Sequence, residues 1–442
     1  MNCDKYTMSP RILKLSGILA ILLFVFPGFV QADDDLSFDL DEFEKKPLEW
    51  GGYVEFKWDH IDINQGSGFS QLNLSDEPES TIDRLTGSLQ IDGSYTTGIA
   101  SFNLLLKASG QQDELGWLDM ADIYEAYAHI KPSPHVTAGI GKKSYKWGKG
   151  YAWNPVGFIN RSKDPNNPEE ALEGYTTLEV DLIKSFSGSL QTAALTVVAL
   201  PVWQDVNEDF GVVDNINLAA KLYLLYQDTD IDFVYYTGNS RSTRFGIDFS
   251  RNLASNFEIH GELAYVPSQK QTALLENGTL KVQEISALSG LLGFRYLSEN
   301  DITSIVEYYH NGAGYTDNEI ERFFQLIDDG ANQLITSGAE TLIDKARELS
   351  LRGYGRPYPG RNYLYGKFTQ KEPFDILYFT PGLTAIVNLD DLSSSITPEL
   401  VYTGFTNWEI RLRFSYLSGG TSTEYGEKQN SNKLELRVRY FF

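Results

Sequence analysis

The amino-acid sequence predicts an all-β protein, a closed antiparallel transmembrane β-barrel of about 18 strands, or 16 if one hairpin is miscounted. Three observations carry this prediction. Apolar and polar residues alternate along segment after segment, each near the roughly 9–11 residues that a tilted strand needs to cross a bilayer. Short and long connections alternate between these segments. The N-terminus has the composition of an export signal.

The last strand shows the alternation most plainly. From Leu434 to Phe442 the even-numbered residues are apolar, and Glu435, Arg437 and Arg439 lie between them. A strand with lipid on one face and a wet lumen on the other requires this pattern.

The same alternation continues through most of the chain. It predicts strands near residues 50–58, 85–95, 100–108, 121–131, 135–143, 174–186, 189–200, 217–227, 230–238, 243–252, 256–266, 284–297, 301–310, 361–370, 375–388, 393–403, 407–417 and 432–442. Between them, short turns alternate with long loops at 61–81, 144–173, 201–216, 267–283, 311–360 and 418–431. Short turns on the periplasmic side and long loops outside are typical of an outer-membrane barrel, and a soluble sandwich would not sort its loops this way.

Residues 1–32 are predicted to be a cleaved signal peptide. Lys5, Arg11 and Lys14 precede an apolar run over residues 18–30, and Val30-Gln31-Ala32 fits a cleavage site. An uncleaved anchoring helix is the alternative, although the run is short for a bilayer. Residues 33–47 are predicted to be an acidic periplasmic leader, and residues 48–442 the barrel.

Composition excludes several functions. Removing the signal peptide takes away three basic residues and one acid, so the net charge changes from −23 to −25. Such a charge argues against nucleic acid as a partner. The only cysteine is Cys3, in the signal, so no thiol chemistry is expected. No catalytic motif occurs and the five histidines are scattered. We therefore predict no enzyme activity, cofactor or metal site.

The loop over residues 311–360 has the only helical pattern. Thr316 with Glu319 and Ser337 with Glu340 have capping-box spacing, and apolar residues at helical intervals follow each pair. Two short amphipathic helices are predicted, which either constrict or cover a pore, or only stiffen the rim as an external cap. The candidate constriction residues are Phe323, Phe324, Arg347 and Arg352.

Parity places a set of basic residues on one wall of the lumen. Closing the barrel brings the last strand beside the first, which joins the candidate selectivity residues Lys57, Arg411, Arg413, Arg437 and Arg439 into one arc. Such an arc can select anions. Alternatively, the arc is a structural network, because Glu55, Glu409 and Glu435 lie on the same wall.

Residues 141–175 interleave cations with aromatic rings. Lys146, Trp147, Lys149, Tyr151 and Trp153 are predicted on an external loop. Stacking and charge together suit a sugar or an anionic polymer. An aromatic belt whose lysines meet lipopolysaccharide phosphates is the equal alternative.

The signal, the hairpin rhythm and the terminal Arg439-Tyr440-Phe441-Phe442 resemble Gram-negative outer-membrane β-barrels. In that class the terminal aromatic residue, here Phe442, is recognised by the barrel-assembly machinery. The segment from Lys146 to Pro155 resembles a loop of porin-like proteins related to alginate-export channels.

These resemblances imply a location in the outer membrane, among lipid and lipopolysaccharide. They also imply a porin-like channel for passive passage of polar or anionic solutes, such as a saccharide or a polymer. A plugged structural or adhesion barrel and an outer-membrane hydrolase are the alternatives.

Overall fold

The structure, a computed structural model, describes residues 47–74, 80–113 and 116–442. The predicted signal peptide and the leader up to residue 46 lie outside the described residues. Within them, 18 antiparallel strands form one sheet in which each strand pairs with its neighbours in sequence. β1 pairs with both β2 and β18, so the sheet closes on itself. The predicted all-β barrel and its strand number are confirmed.

The strands are β1 Leu48–Ile63, β2 Thr81–Thr97, β3 Ala100–Asp113, β4 Gly116–Ser133, β5 Val136–Lys143, β6 Tyr175–Ser185, β7 Leu190–Val202, β8 Asn215–Tyr226, β9 Thr229–Thr237, β10 Arg244–Ala254, β11 Phe257–Leu274, β12 Leu280–Leu297, β13 Ile302–His310, β14 Asn362–Gln370, β15 Phe379–Asn388, β16 Ser394–Tyr402, β17 Trp408–Ser418 and β18 Asn430–Phe441. The helices are α1 Gly68–Asn73, α2 Asp317–Ser337 and α3 Thr341–Leu349. Single helical turns occur at Glu208–Phe210, Ser350–Tyr354 and Pro373–Asp375.

The apolar face of the sheet points outward. On β1, Val54 and Phe56 are 49% and 51% exposed, whereas Glu55 between them is 8% exposed. An outward apolar band around an inward polar face is the arrangement that lipid requires of a barrel. Aromatic pairs such as Trp408 with Tyr440 lie near the short-turn end, where a membrane interface is expected. In the described part of the chain, no helix has the length and apolarity needed to cross a membrane.

The β11–β12 hairpin is longer than the sequence predicts. Residues 267–283 are predicted as a loop, but the two strands continue to Leu274 and resume at Leu280. This extension projects beyond the ladders to β10 and β13, which stop at Tyr265 and Gly290. Strands need alternating apolar residues only where they contact lipid. A polar strand segment beyond the membrane is therefore not predicted from alternation.

Two further boundaries differ from the predictions. Ser337 does not start a helix: α2 continues through it and ends at Gly338, whose φ of 69° is left-handed. The first capping box, Thr316 with Glu319, is confirmed by hydrogen bonds in both directions. β15 begins at Phe379 rather than at 375, because residues 371–378 form a turn in which Phe374 and Tyr378 have positive φ.

Candidate functional site: the barrel interior

The loop over residues 144–174 folds into the barrel. It leaves β5 at Lys143, and its backbone bonds to Glu262 on β11 and Glu307 on β13. Both glutamates face inward, since the neighbouring Leu263 and Tyr308 are exposed on the outer face. β13 lies eight strands from β5 in the ring of 18, so the loop crosses almost the full width of the lumen.

Glu262 is the main acceptor for this loop. Its carboxylate receives the backbone N–H groups of Lys149 at 2.6 Å, Gly150 at 2.7 Å and Val156 at 3.1 Å. The side-chain amide of Asn154 donates to it at 2.9 Å. A carboxylate that accepts four charge-assisted hydrogen bonds holds the bound backbone in one conformation.

Glu307 binds the next two residues of the loop. It accepts the N–H of Tyr151 at 2.5 Å and that of Ala152 at 2.9 Å. His260, which is fully buried, lies with its Nε2 2.9 Å from the same carboxylate. Together Glu262 and Glu307 form what we call the loop clamp, which fixes residues 149–156 on the far wall.

A buried acid pair binds the side chain of the same loop. Asp232 on β9 and Asp248 on β10 face each other in register, and each is only 1% exposed. Lys149 Nζ lies 2.9 Å from Asp232 Oδ2 and 3.8 Å from Asp248 Oδ1. Lys149 thereby offsets part of the negative charge of two adjacent buried carboxyl groups.

Aromatic and apolar packing completes the attachment. Trp153 stacks on Tyr309 with ring centroids 5.1 Å apart, and its other ring neighbours are Tyr358, Tyr363 and Tyr365. The largest buried apolar cluster of the described residues joins the loop to the inner face of the wall through Tyr145, Trp147, Val156, Phe158, Ile159, Tyr175, Val198, Leu200, Val202, Phe210, Ala219, Val234, Tyr236 and Ala264. We call the part of the interior lined by β6–β15 the filled half.

The wall formed by β16–β18 and β1–β3 is different, and we call its side of the lumen the open half. Its charged residues lie in horizontal rows that the strand register fixes. Lys57, Arg437 and Arg411 are cross-strand partners and form a basic row. In the row nearer the short turns, Arg439 lies between Glu55 and Glu409.

Ion pairs form both within and between these rows. Arg439 donates to Glu55 Oε2 from Nε at 2.9 Å and from Nη2 at 2.6 Å. Arg437 lies 3.2 Å from Glu435, and Arg411 lies 3.3 Å from Glu409. Further pairs include Lys57 with Asp59 at 3.4 Å and Arg413 with Glu399 at 3.1 Å. The predicted basic arc exists, and carboxylates lie throughout it. Its role in selectivity stays a prediction.

A polar cavity of about 440 Å³ lies between this wall and the returning end of the inward loop. It is lined by Gly52, Tyr53, Gln90, Asp92, Asn167, Glu169, Glu170, Ala171, Glu409, Arg411, Arg437, Arg439, Phe441 and Phe442. The loop contributes carboxylates and an amide, and the wall contributes three guanidiniums. Such a cavity can replace part of the hydration of a small polar solute.

Glu170 ties the loop to the near wall. Its Oε1 lies 2.9 Å from Lys107 Nζ on β3, and Asn167 donates to its other oxygen. Burial opposes the charged form of Glu170, but the hydrogen bond and the charge of Lys107 outweigh burial and lower the pKa of Glu170. The carboxylate therefore stays charged beside the cavity at neutral pH.

The residues predicted on an external loop lie inside the barrel instead. Trp147 and Trp153 are buried, and Lys149 and Tyr151 are held by the acid pair and the clamp. Lys146, between the buried Tyr145 and Trp147, is exposed. The prediction treats every long loop as external, whereas the buried carboxylates of the far wall draw this loop inward.

The predicted constriction residues lie in a cap of helices. Phe323 and Phe324 are buried in its core with Leu72 of α1 and Leu274 of β11. Arg347 and Arg352 pair with acids of their own segment, Asp344 and Glu348. The 440 Å³ cavity is lined by Asn167, Glu169, Glu170 and Ala171 of the inward loop, and a lid role for residues 311–360 stays a prediction.

Sequence reasoning missed the clamp, the acid pair and Glu169 with Glu170. One signal pointed toward them. β7 is apolar on both faces: Val197 is 40% exposed to the outside, and Val198 is fully buried inside. An inner face that is apolar must be covered by other protein rather than by water. Strands of this kind identify the part of the wall on which a loop packs.

The fold is similar to that of known outer-membrane proteins of solved structure. No family model matches the chain, and no curated protein matches it. Among solved structures, Pseudomonas aeruginosa OccK11 (OpdR) matches with a TM-score of 0.50 and 10% identity, over 89% of this chain and 95% of that one. Pseudomonas aeruginosa OccK2 (OpdF), in complex with glucuronate, matches with a TM-score of 0.50 and 12% identity, over 89% and 98%. A porin of Rhodopseudomonas blastica matches with a TM-score of 0.42 and 11% identity, over 89% and 100%. At these identities the likeness to the two Pseudomonas proteins shows a shared barrel fold.

Proposed function

We propose that this protein is a porin-like channel of the outer membrane that passes small polar or anionic solutes passively. The observation that carries the proposal is the polar cavity of about 440 Å³ between the inward loop and the charged wall. In a purely structural barrel we would expect both halves of the lumen to be packed, whereas here the open half is charged and unfilled. The outward apolar band supports the membrane location.

The direction of charge selection follows from the basic row. Lys57, Arg411 and Arg437 share one level, and the acids that pair with them lie above or below that level. A solute carboxylate at this level meets three cations at once, which favours small anions over cations. The glucuronate bound by the Pseudomonas OccK2 structure is a solute of that class, and we extend only the class to this chain.

The assembly partners are part of the same proposal. Phe442 lies at the short-turn end, where its N–H donates to the Gly52 carbonyl at 3.1 Å and its ring contacts Trp50. We propose that this terminal aromatic residue is read by the barrel-assembly machinery, and that the outer surface contacts lipid and lipopolysaccharide. We propose no catalytic role.

Planar-bilayer recording tests the channel. The purified, folded protein is expected to give discrete current steps in potassium chloride, with a reversal potential in a salt gradient that indicates anion preference. A folded protein that carries no current, even after deletion of residues 311–360, would contradict the open channel. That result would favour the plugged structural barrel, for which the packed filled half is the supporting feature.

A further inference from the structure

Arg244 is an inward-facing guanidinium at the long-loop end of the barrel. It is the first residue of β10, and the next residues outward, Phe245 and Ile247, are 48% and 39% exposed. A Cβ placed on Gly246 would come within 2.9 Å of Val156 in the inward loop, which confirms that this parity faces the interior. Arg244 therefore lies at the edge of the filled half, just above the loop.

Neither nitrogen at the tip of Arg244 has a partner among the described residues. Its Nε lies 3.4 Å from the Ser242 carbonyl, and no carboxylate comes within ion-pair distance of the side chain in that part of the chain. The side chain is also half-buried, so water covers it incompletely. Two forked N–H donors are thus directed into the interior with no acceptor.

A second guanidinium lies three residues earlier. Arg241 donates from Nε to the Phe210 carbonyl, and its guanidinium lies 3.8 Å from the Phe210 ring centroid. The described residues place no carboxylate within ion-pair distance of it either. By contrast, Arg161 of the inward loop pairs with both Glu173 and Asp209. Unpaired arginines are therefore not a general property of this region.

Arginine cannot relieve burial by losing its proton, because its pKa is too high. A partly buried charge without a counter-charge is unfavourable, and here a like charge adds to the cost. The arginines of the open half avoid this cost through carboxylates. The fork geometry of a guanidinium matches two oxygens of one anion.

We propose that Arg244, with Arg241 beside it, binds a small oxyanion at the outer vestibule of the barrel. The class of ligand is a free sulfate, phosphate or carboxylate. A lipid headgroup is excluded because the side chain faces the interior. This binding site is separate from the basic row of Lys57, Arg411 and Arg437, and it lies on the other half of the wall.

The test uses the folded mature protein in detergent, with sodium sulfate as the probe and sodium chloride at equal ionic strength as the reference. Sulfate is expected to raise the midpoint of thermal unfolding in a saturable manner. Arg244→Gln is expected to weaken the apparent sulfate affinity about tenfold or more, since it removes both the charge and the forked donors that match two oxygens of one anion. Arg251→Gln is the matched control, because Arg251 is an exposed arginine on the outer face of the same strand.

Three results would overturn the proposal. Sulfate has no saturable effect on the unmodified protein, or it acts equally on the Arg244→Gln variant, or its effect is lost in Arg437→Gln and kept in Arg244→Gln. The last result would place the anion on the basic row. If Arg244→Gln does not fold, Arg244→Lys keeps the charge without the fork and is expected to bind sulfate more weakly. Thermal unfolding does not depend on conduction, so the outcome is independent of the channel proposal.

Discussion

The filled half and the open half of the lumen share one sheet but carry inward side chains of different kinds. In the filled half, Val198 and Tyr236 are fully buried and pack with Trp147 and Phe158 of the inward loop. In the open half, Glu55 pairs with Arg437 and Arg439, and both arginines line a cavity. One half therefore resembles the core of a soluble protein, and the other half a wet channel wall. The inward loop packs on the filled half and borders the cavity of the open half, so in the proposed channel its attachment would set the size of the passage.

An aspartate introduced on the inner face should affect the two halves most differently. Val198→Asp places an unpaired charge in the apolar cluster and is expected to destabilise the fold by about 4 kcal/mol or more. Thr86→Asp, also inward but in the open half beside its register partner Lys57, is expected to change stability by less than about 1 kcal/mol. Urea unfolding in detergent, followed by circular dichroism, measures both. Equal losses for the two variants would mean that the halves do not differ in packing.

The loop clamp carries the second largest expected effect. Replacing both glutamates (Glu262→Gln with Glu307→Gln) weakens the bonds to residues 149–156, each worth about 1.5–3 kcal/mol as a charge-assisted hydrogen bond. The loop should then leave the far wall, and single-channel conductance should rise roughly twofold or more with greater noise. Glu321→Gln, at an exposed position on α2, is the control and should leave conductance unchanged. Unaltered conductance in the double variant would show that the clamp does not set the passage.

Charge selection in the open half is a smaller effect. Arg411→Gln combined with Arg437→Gln removes two of the three cations of the basic row. The ratio of anion to cation permeability should fall by a factor of about two to five. The factor is small because the carboxylates that pair with these arginines already offset part of their charge. The reversal potential in a potassium chloride gradient reports it. Arg352→Gln on the cap is the control. An equal shift of the reversal potential in that variant would show that the basic row does not set the charge preference.

The smallest expected effect is that of pH on the Glu170–Lys107 ion pair, which attaches the inward loop to β3. The folded pKa of Glu170 is lowered because the hydrogen bond and charge of Lys107 outweigh burial. Its ionised form therefore stabilises the loop above the usual carboxyl range of about 4.3, and this contribution is lost as pH falls below that range. Conductance should become noisier as pH falls below the usual carboxyl range. Glu170→Gln should show that noise at neutral pH already, and a variant as quiet as the unmodified protein would refute the role of the pair.

The sequence predicts the barrel well because alternation is a local signal. The pattern from Leu434 to Phe442 identifies β18 and its outward face without reference to any other strand. The same method misses the upper β11–β12 hairpin, in which a polar run over residues 268–272 interrupts the apolar alternation. It also misjudges Ser337, since a capping residue and an ordinary position within a helix look alike until the left-handed Gly338 ends α2.

The candidate site could be predicted only in part. Once the sheet is known to close, counting residues along the paired strands is enough to bring Arg437 beside Lys57 and Arg411. It cannot pair Glu262 with Gly150, which lies 112 residues away in a loop without regular structure. The sequence also gives no reason why Trp153 should leave an external position for the interior.

By itself the sequence determined the fold class, a strand number of about 18 and the lipid-facing side of strands such as β1 and β18, because alternation depends on neighbours one or two residues apart. Only the tertiary structure decided which loop enters the lumen. That outcome depends on the backbone N–H groups of residues 149–156 finding buried carboxylates on the opposite wall. A buried carboxylate and a run of N–H groups satisfy each other only when the barrel has closed, and nothing local to either segment records the match.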